Sequence, residues 1–247
     1  MNAYTSFAQV YDLFMDNVPY EEWAMRITEI LKEYGIDSGI VLDLGCGTGK
    51  LTRLMEEQGF DMIGVDNSFE MLDIARESSK DNILYLLQDM REFELYGTVQ
   101  AVYSACDSIN YILEEEDLRE VFSLVNNYLD PKGIFIFDIN TRYKYEELLG
   151  ENTFAETREE GSFIWDNYYD PEDEINEYDL TLYIKDEKEK FLRFQENHYQ
   201  RCYDFQTIKG LLQEAGLEFV AAFDDYSKSP VHEQSERILI VARECGK

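Results

Sequence analysis

One aspartate, three glycines at alternate positions and two later aspartates carry most of the chemistry legible in this 247-residue chain. The run is Asp43-Leu44-Gly45-Cys46-Gly47-Thr48-Gly49, with Asp66 and Asp89 downstream. Glycine tolerates positive φ and lets a ligand approach the backbone where a Cβ would stand in the way. A helix that opens directly after such a loop presents free N–H groups, a seat for a negative group. Strand, glycine loop and helix together suit a nucleotide-type cofactor. The dinucleotide pattern G-x-G-x-x-G is not met, because Lys50 stands where its third glycine would be. A diphosphate gains nothing from the Asp43 carboxylate beside the loop, whereas a cofactor bearing an ammonium group does. Asp66 is placed to accept hydrogen bonds from two ribose hydroxyls, and Asp89 from the exocyclic amine of an adenine. Met71, Met90 and Cys106 are soft groups suited to the faces of its ring, or to ordinary core packing.

A doubly wound sheet would hold these residues in place. The apolar run 40–44 reads as a first strand, followed by a helical pattern over 50–58 that Gly59 stops. A second strand, 62–65, ends at Asp66, and Asn67-Ser68 caps a helix containing Met71 and Leu72. A third, 83–87, runs into Gln88-Asp89-Met90, and a fourth, 100–104, into the segment 106–111 and a helix from about 116 to 128. Asp130-Pro131-Lys132-Gly133 reads as a turn before a fifth strand over 134–139. Two further helices are expected over 6–16 and 20–34. Strands alternating with helices imply right-handed crossovers and a mostly parallel sheet. From 151 to 201 the period drops to nearly two, with turns at 171–173 and 185–190. Helix then resumes over 205–215, before strands over 217–223 and 236–243. The expected α/β architecture is a Rossmann-like core, 1–150 and 202–247, interrupted by an antiparallel β insertion over 151–201.

Composition limits the partners. The chain has 52 acidic and 22 basic residues, a formal charge of −30. Such a surface repels phosphate backbones, so nucleic acid is a poor partner, and the charge serves either solubility or the steering of a cationic substrate. Residues 151–200 hold 15 acidic and five basic residues, one third of that net charge. No stretch approaches the ~20 apolar residues of a membrane span, and Met1-Asn2-Ala3-Tyr4 lacks the start of a signal peptide. Four cysteines lie far apart with no C-x-x-C spacing, as reduced thiols of a cytoplasmic protein do, and no metal site is expected.

The glycine run, with Asp66 and Gln88-Asp89-Met90, resembles the class I S-adenosylmethionine-dependent methyltransferases over roughly 40–140. The 205–216 helix and its two following strands match the end of that fold, where the last strand runs antiparallel. Tyr4-x-x-Phe7-Ala8-x-x-Tyr11-Asp12 and Glu196-x-His198-x-x-Arg201 are similar to a bacterial subgroup acting on small molecules, many of whose members have no assigned substrate. The resemblance implies a seven-stranded sheet and S-adenosyl-L-methionine as cofactor. It implies that the backbone of Gly45, Cys46, Gly47 and Gly49 holds the methionine moiety near Asp43. Asp66 would bind the ribose, bordered by Asn67 and Met71, and Asp89 and Met90 the adenine. Cys106 would lie where the fourth strand's exit passes the cofactor, and Tyr11 would close over it.

Methyl transfer is an in-line displacement from a good leaving group, so positioning and desolvation supply much of the catalysis. A base is needed only if the acceptor must lose a proton. No fixed catalytic motif is expected, and none is found. Candidates near the acceptor are Asp107, Ser108, Asn110 and Tyr111 after the fourth strand, Asp138 and Asn140 ending the fifth, and His198 in the insertion. Alternation puts Phe194, Glu196 and His198 on one face. His198 then reads as a base or substrate-orienting group, or as a structural histidine paired with Glu196. His232 reads as a surface loop residue. The aromatic residues Phe163, Trp165, Tyr168, Tyr169 and Tyr178 suit a lid over a cationic or aromatic ligand, a homodimer surface, or a small core. The functional expectation is methyl transfer from S-adenosylmethionine to a small molecule or other acceptor. The alternatives are an NAD-dependent oxidoreductase and a non-catalytic S-adenosylmethionine-binding scaffold.

Overall fold

In the computed structural model, residues 7–80, 82–186 and 188–247 are described; Tyr4 of the N-terminal pattern lies outside them. Helices α1 (Ala8–Phe14) and α2 (Tyr20–Glu33) precede β1 (Ile40–Leu44), α3 (Lys50–Glu57), β2 (Asp61–Asp66), α4 (Phe69–Ser78) and β3 (Leu84–Leu87). Then come β4 (Val99–Ser104), a 3-10 turn (Ser108–Tyr111), α5 (Glu115–Tyr128) and β5 (Leu129–Asn140). A π-helical turn (Lys144–Leu149) leads to β6 (Thr153–Thr157), β7 (Gly161–Asp170), β8 (Ile175–Lys185) and β9 (Phe191–Arg201). The chain ends with α6 (Phe205–Glu214), β10 (Leu217–Asp224) and β11 (Arg237–Glu244).

The first sheet has seven strands in the order β10-β11-β5-β4-β1-β2-β3, parallel from β5 to β3 and antiparallel at β11 and β10. The second holds β6-β7-β8-β9, all antiparallel. This is the Rossmann-like sheet with an antiparallel insertion that the sequence pattern predicts. Alternation sorts the buried residues onto two faces. Leu42, Phe135 and Phe137 point to one cluster with Phe122 of α5 and Ile208 of α6. Val41, Ile134 and Ile136 point to another with Trp23 and Ile27 of α2 and Met55 of α3. The sheet is therefore covered on both sides, and only the strand ends are open to a ligand.

The expected turn at Asp130–Gly133 is drawn into β5. Val99 pairs with Leu129 but Ala101 with Ile134, so the intervening residues bulge out while the ladder continues on both sides. Lys132 takes a left-handed φ of 67° there, and its N–H donates to Glu244 Oε2 at 2.7 Å. The turn chemistry was real, but cross-strand pairing outweighed it.

On the insertion sheet, Leu180 and Leu182 pack against Val10 and Phe14 of α1, with Phe163 and Trp165 beside them. Phe14 and Phe163 meet edge-on at 5.0 Å. Tyr169 stacks on Tyr145 of the π-helical turn, whereas Tyr168 is exposed. Four of the five aromatics thus serve packing, since Tyr178 lies stacked on His198. No helix among the described residues is long and apolar enough to cross a membrane.

Candidate functional site

A cavity of about 230 Å³ opens at the C-terminal ends of β1, β2 and β4, beside the exit of β3. Tyr11, Asp43, Gly45, Cys46, Gly47, Asp66, Asn67, Met71, Asp89, Met90 and Cys106 all line it. Gly49, the remaining glycine of the run, is not among the lining residues. It precedes α3 with a φ of +71°, and a Cβ there would stand 2.4 Å from the hydroxyl of Tyr85. Gly47 is the opposite case, because a Cβ built on it meets no atom within 4 Å.

Two carboxylates brace the loop. Asp43 lies buried beneath it, between neighbours fixed by register: Gly64 of β2 on one side and Tyr103 of β4 on the other. It accepts from the hydroxyls of Thr52 at 2.6 Å and Tyr103 at 2.8 Å. Burial pushes its carboxyl up to about 7, although both hydrogen bonds pull the other way. Asp66 accepts the Gly47 N–H at 2.8 Å on one oxygen and the Ser68 N–H at 2.9 Å on the other. Burial raises its carboxyl as well. Ser68 in turn caps α4 by accepting from the Met71 N–H.

Asp89 differs from the expected bare acceptor. Both its oxygens take hydrogen bonds from Arg91, at 3.0 and 2.6 Å, and this holds the carboxyl below its usual range. Sequence reading also missed Tyr20 and Lys50, which line the cavity with the Lys50 ammonium 4.8 Å above the Tyr20 ring. Nothing local marks Tyr20, which arrives on the first turn of α2. Thr48 donates to Asp12 at 2.8 Å and ties α1 to the loop. The adjacent Tyr11-Asp12 pair was the available signal for that contact.

The exit of β4 is strained. Cys106 and Asp107 take consecutive left-handed φ values of 59° and 52°. Such residues cost about 1–3 kcal/mol each and persist only where surroundings hold them. Here the Asp107 N–H donates to Asp138 at 2.9 Å, and its carboxylate accepts from Arg237 at 2.9 Å and Gln200 at 2.6 Å. Arg237 also pairs with buried Asp138. Asp107 is therefore a joint between β4, β5, β9 and β11, and it stands outside the cavity lining. Asn110 has a similar bracing role, donating to the Arg201 carbonyl and accepting the Asn140 N–H.

Tyr111 does line the cavity, alongside Ser108. His198 stands behind it, buried, with Nδ1 3.1 Å from the Tyr111 hydroxyl and Nε2 3.4 Å from Glu196 Oε2. Glu196 Oε1 accepts the Phe7 N–H at 2.9 Å. The expected face-sharing of Phe194, Glu196 and His198 holds, and His232 is an exposed loop residue.

A family model described as a methyltransferase domain matches residues 41–133, from the glycine loop to the bulge in β5. A Bacillus subtilis (strain 168) protein named "Putative methyltransferase YqeM" is 35% identical over 97% of this chain and 96% of its own length. The chain belongs to the class I S-adenosylmethionine-dependent methyltransferases. The crystal structure of a S-adenosylmethionine-dependent methyltransferase from Clostridium acetobutylicum ATCC 824 has 31% identity and a TM-score of 0.88, covering 99% of this chain and 100% of that one. A Streptomyces venezuelae dTDP-3-amino-3,4,6-trideoxy-alpha-D-glucopyranose N,N-dimethyltransferase is 29% identical over 53% of this chain and 56% of its own. The cofactor of this methyltransferase is S-adenosyl-L-methionine. The donor set fits it: two carboxylates flank a backbone loop, and soft side chains line the far wall.

Proposed function

We propose that this methyltransferase acts on a small-molecule amine, with 151–201 as a cap over the acceptor end of the cavity. The observation that carries this reading is the roof of the site. Tyr11 and Tyr111 both line the cavity, one from α1 and one from beneath the insertion, and α1 is fastened to the glycine loop through Asp12 and Thr48. A site flanked by both tyrosines suits a small acceptor. The formal charge of −30 favours a cationic one, and the S. venezuelae relative is named for an amino-sugar substrate.

When bound, the cofactor supplies an electrophilic methyl group on a sulfonium. Asp43 would hold the ammonium of its methionine end beneath the loop, and the N–H groups at the start of α3 its carboxylate, since those of Gly45, Cys46 and Gly47 already donate to the Val65 carbonyl and Asp66. Asp66 and Asn67 would take the ribose hydroxyls. Asp89 would meet the adenine amine while shared with Arg91, and Met71 and Met90 would cover the ring faces. Tyr11, Tyr20 and Cys106 would keep water from the transferred group.

The test is calorimetric titration with S-adenosylmethionine and with NAD, then transfer of labelled methyl to a panel of amino sugars, amino acids and polyamines. Binding of the first cofactor alone, with label in at least one amine, is expected. Label found only in protein or nucleic acid would overturn the small-molecule reading.

A further inference from the structure

We propose that Tyr111, His198 and Glu196 form a proton relay that takes up the acceptor's surplus proton and holds it until product leaves. This rests on the amine reading above and adds a role for residues of the insertion. Tyr111 lines the cavity, and its hydroxyl lies 3.1 Å from His198 Nδ1. His198 Nε2 faces Glu196 Oε2 at 3.4 Å, and both side chains are 0% exposed. The ring of Tyr178 stacks on the imidazole at 4.7 Å, within 5° of parallel, and its hydroxyl also meets that of Tyr111. The imidazole plane is thus fixed, with one nitrogen toward the cavity side and one toward a carboxylate.

Glu196 also accepts the Phe7 N–H, a contact that does not require a histidine beside it. On the same face, Leu182 opposes Phe194, and the next cross-strand pair is Leu180 with Glu196, then Tyr178 with His198. An apolar face changes to buried ionisable groups at the two positions behind Tyr111. Burying a carboxylate and an imidazole costs several kcal/mol unless they serve each other. The order phenol, imidazole, carboxylate also matches the logic by which a carboxylate holds a histidine in the tautomer needed to accept a proton.

The amine attacks in its neutral form, its ammonium proton having first been lost to water, and forms an N–CH3 bond as the sulfonium C–S bond breaks and its electron pair returns to sulfur. The nitrogen then carries one proton too many. That N–H bond breaks, leaving its electron pair on nitrogen, and the proton passes to the Tyr111 oxygen. The phenol's own proton passes to Nδ1 of His198. The resulting imidazolium rests against Glu196 until product leaves and the proton returns through Tyr111 to water. No oxidant, reductant or metal takes part.

The chain has two histidines, which makes the relay directly observable by 15N-imidazole NMR. His232→Gln assigns the exposed one. Near neutral pH, His198 is expected as the Nε2–H tautomer, with an Nδ1 signal displaced by hydrogen bonding. Tyr111→Phe should shift that signal toward that of a more weakly bonded nitrogen without changing the tautomer. In turnover with the first amine found to accept label, Tyr111→Phe should lower kcat by about 10²–10⁴-fold and move the KM for S-adenosylmethionine less than about twofold. An Nδ1–H tautomer in the wild type, an Nδ1 signal indifferent to Tyr111→Phe, or an unchanged kcat would each overturn the relay. Calorimetry keeps the two readings apart: loss of cofactor binding in the wild type sinks the site, whereas intact binding with the wrong tautomer sinks only the relay.

Discussion

Asp43 makes a pH-linkage prediction that isolates one carboxyl. Its ordinary value is 3.8, and burial raises it to about 7 in the folded protein. Between those values the native state keeps the proton and the unfolded chain releases it. A raised carboxyl therefore contributes stability at low pH that is lost as pH climbs through the window, opposite in sign to a salt-bridged aspartate. At about 1.4 kcal/mol per pH unit of full proton difference, the loss between pH 5 and 8 comes to about 2–3 kcal/mol. Asp43→Asn removes the titration but keeps an acceptor for Thr52 and Tyr103. Urea unfolding of both proteins across that range is the assay. The stability of the wild type relative to Asp43→Asn should fall by that amount, whatever the other carboxylates do to the two curves in common. A cofactor ammonium beside Asp43 would favour the ionised form, so binding near pH 6.5 should release a fraction of a proton. Calorimetry in buffers of different ionisation enthalpy reads this directly, and Asp43→Asn should abolish it. Parallel pH–stability curves for the two proteins would refute the reasoning, since the buried carboxyl would then be ionised at no cost.

Other side chains give sharper single measurements. Gly49→Ala puts a methyl 2.4 Å from the Tyr85 hydroxyl on a left-handed residue, so thermal unfolding should show a loss of about 2–4 kcal/mol. Tyr85→Phe should recover about 1 kcal/mol of it, and strict additivity would deny the contact. Asp66→Ala should weaken S-adenosylmethionine binding by about 1–3 kcal/mol in calorimetry, through the lost ribose acceptor and the freed Gly47 N–H. Unchanged affinity would put the ribose elsewhere. Arg237→Met leaves Asp138 buried without its cation and should cost about 3–5 kcal/mol in denaturant unfolding. Adding Asp138→Asn should restore part of that, and a cost below 1 kcal/mol for the single change would mean the ion pair holds nothing together.

The glycine-loop side of the cavity was legible and the Tyr111 side was not, for a physical reason. Gly45, Gly47, Asp43 and Asp66 sit on two consecutive strand–loop–helix units, so spacing along the chain is spacing in space. Arg91 is equally local, two residues from the carboxylate it grips. On β9, period-two alternation correctly put Glu196 and His198 together, because a strand keeps its faces wherever it goes. What alternation cannot supply is the object that face meets. Tyr111 reaches His198 across 87 positions, Arg237 reaches Asp107 across 130, and Asn110 reaches the Arg201 carbonyl across 91. The first and last of these contacts depend on how the insertion docks on the strand ends, and the second on how β11 returns beside β5, none of which local propensity encodes. The same contacts hold Cys106 and Asp107 in a conformation their own backbone disfavours. In this chain, then, the insertion helps to position the exit of β4 through Gln200 and Asp107, and a change of acceptor specificity among relatives should track residues at that seam before it touches the glycine loop.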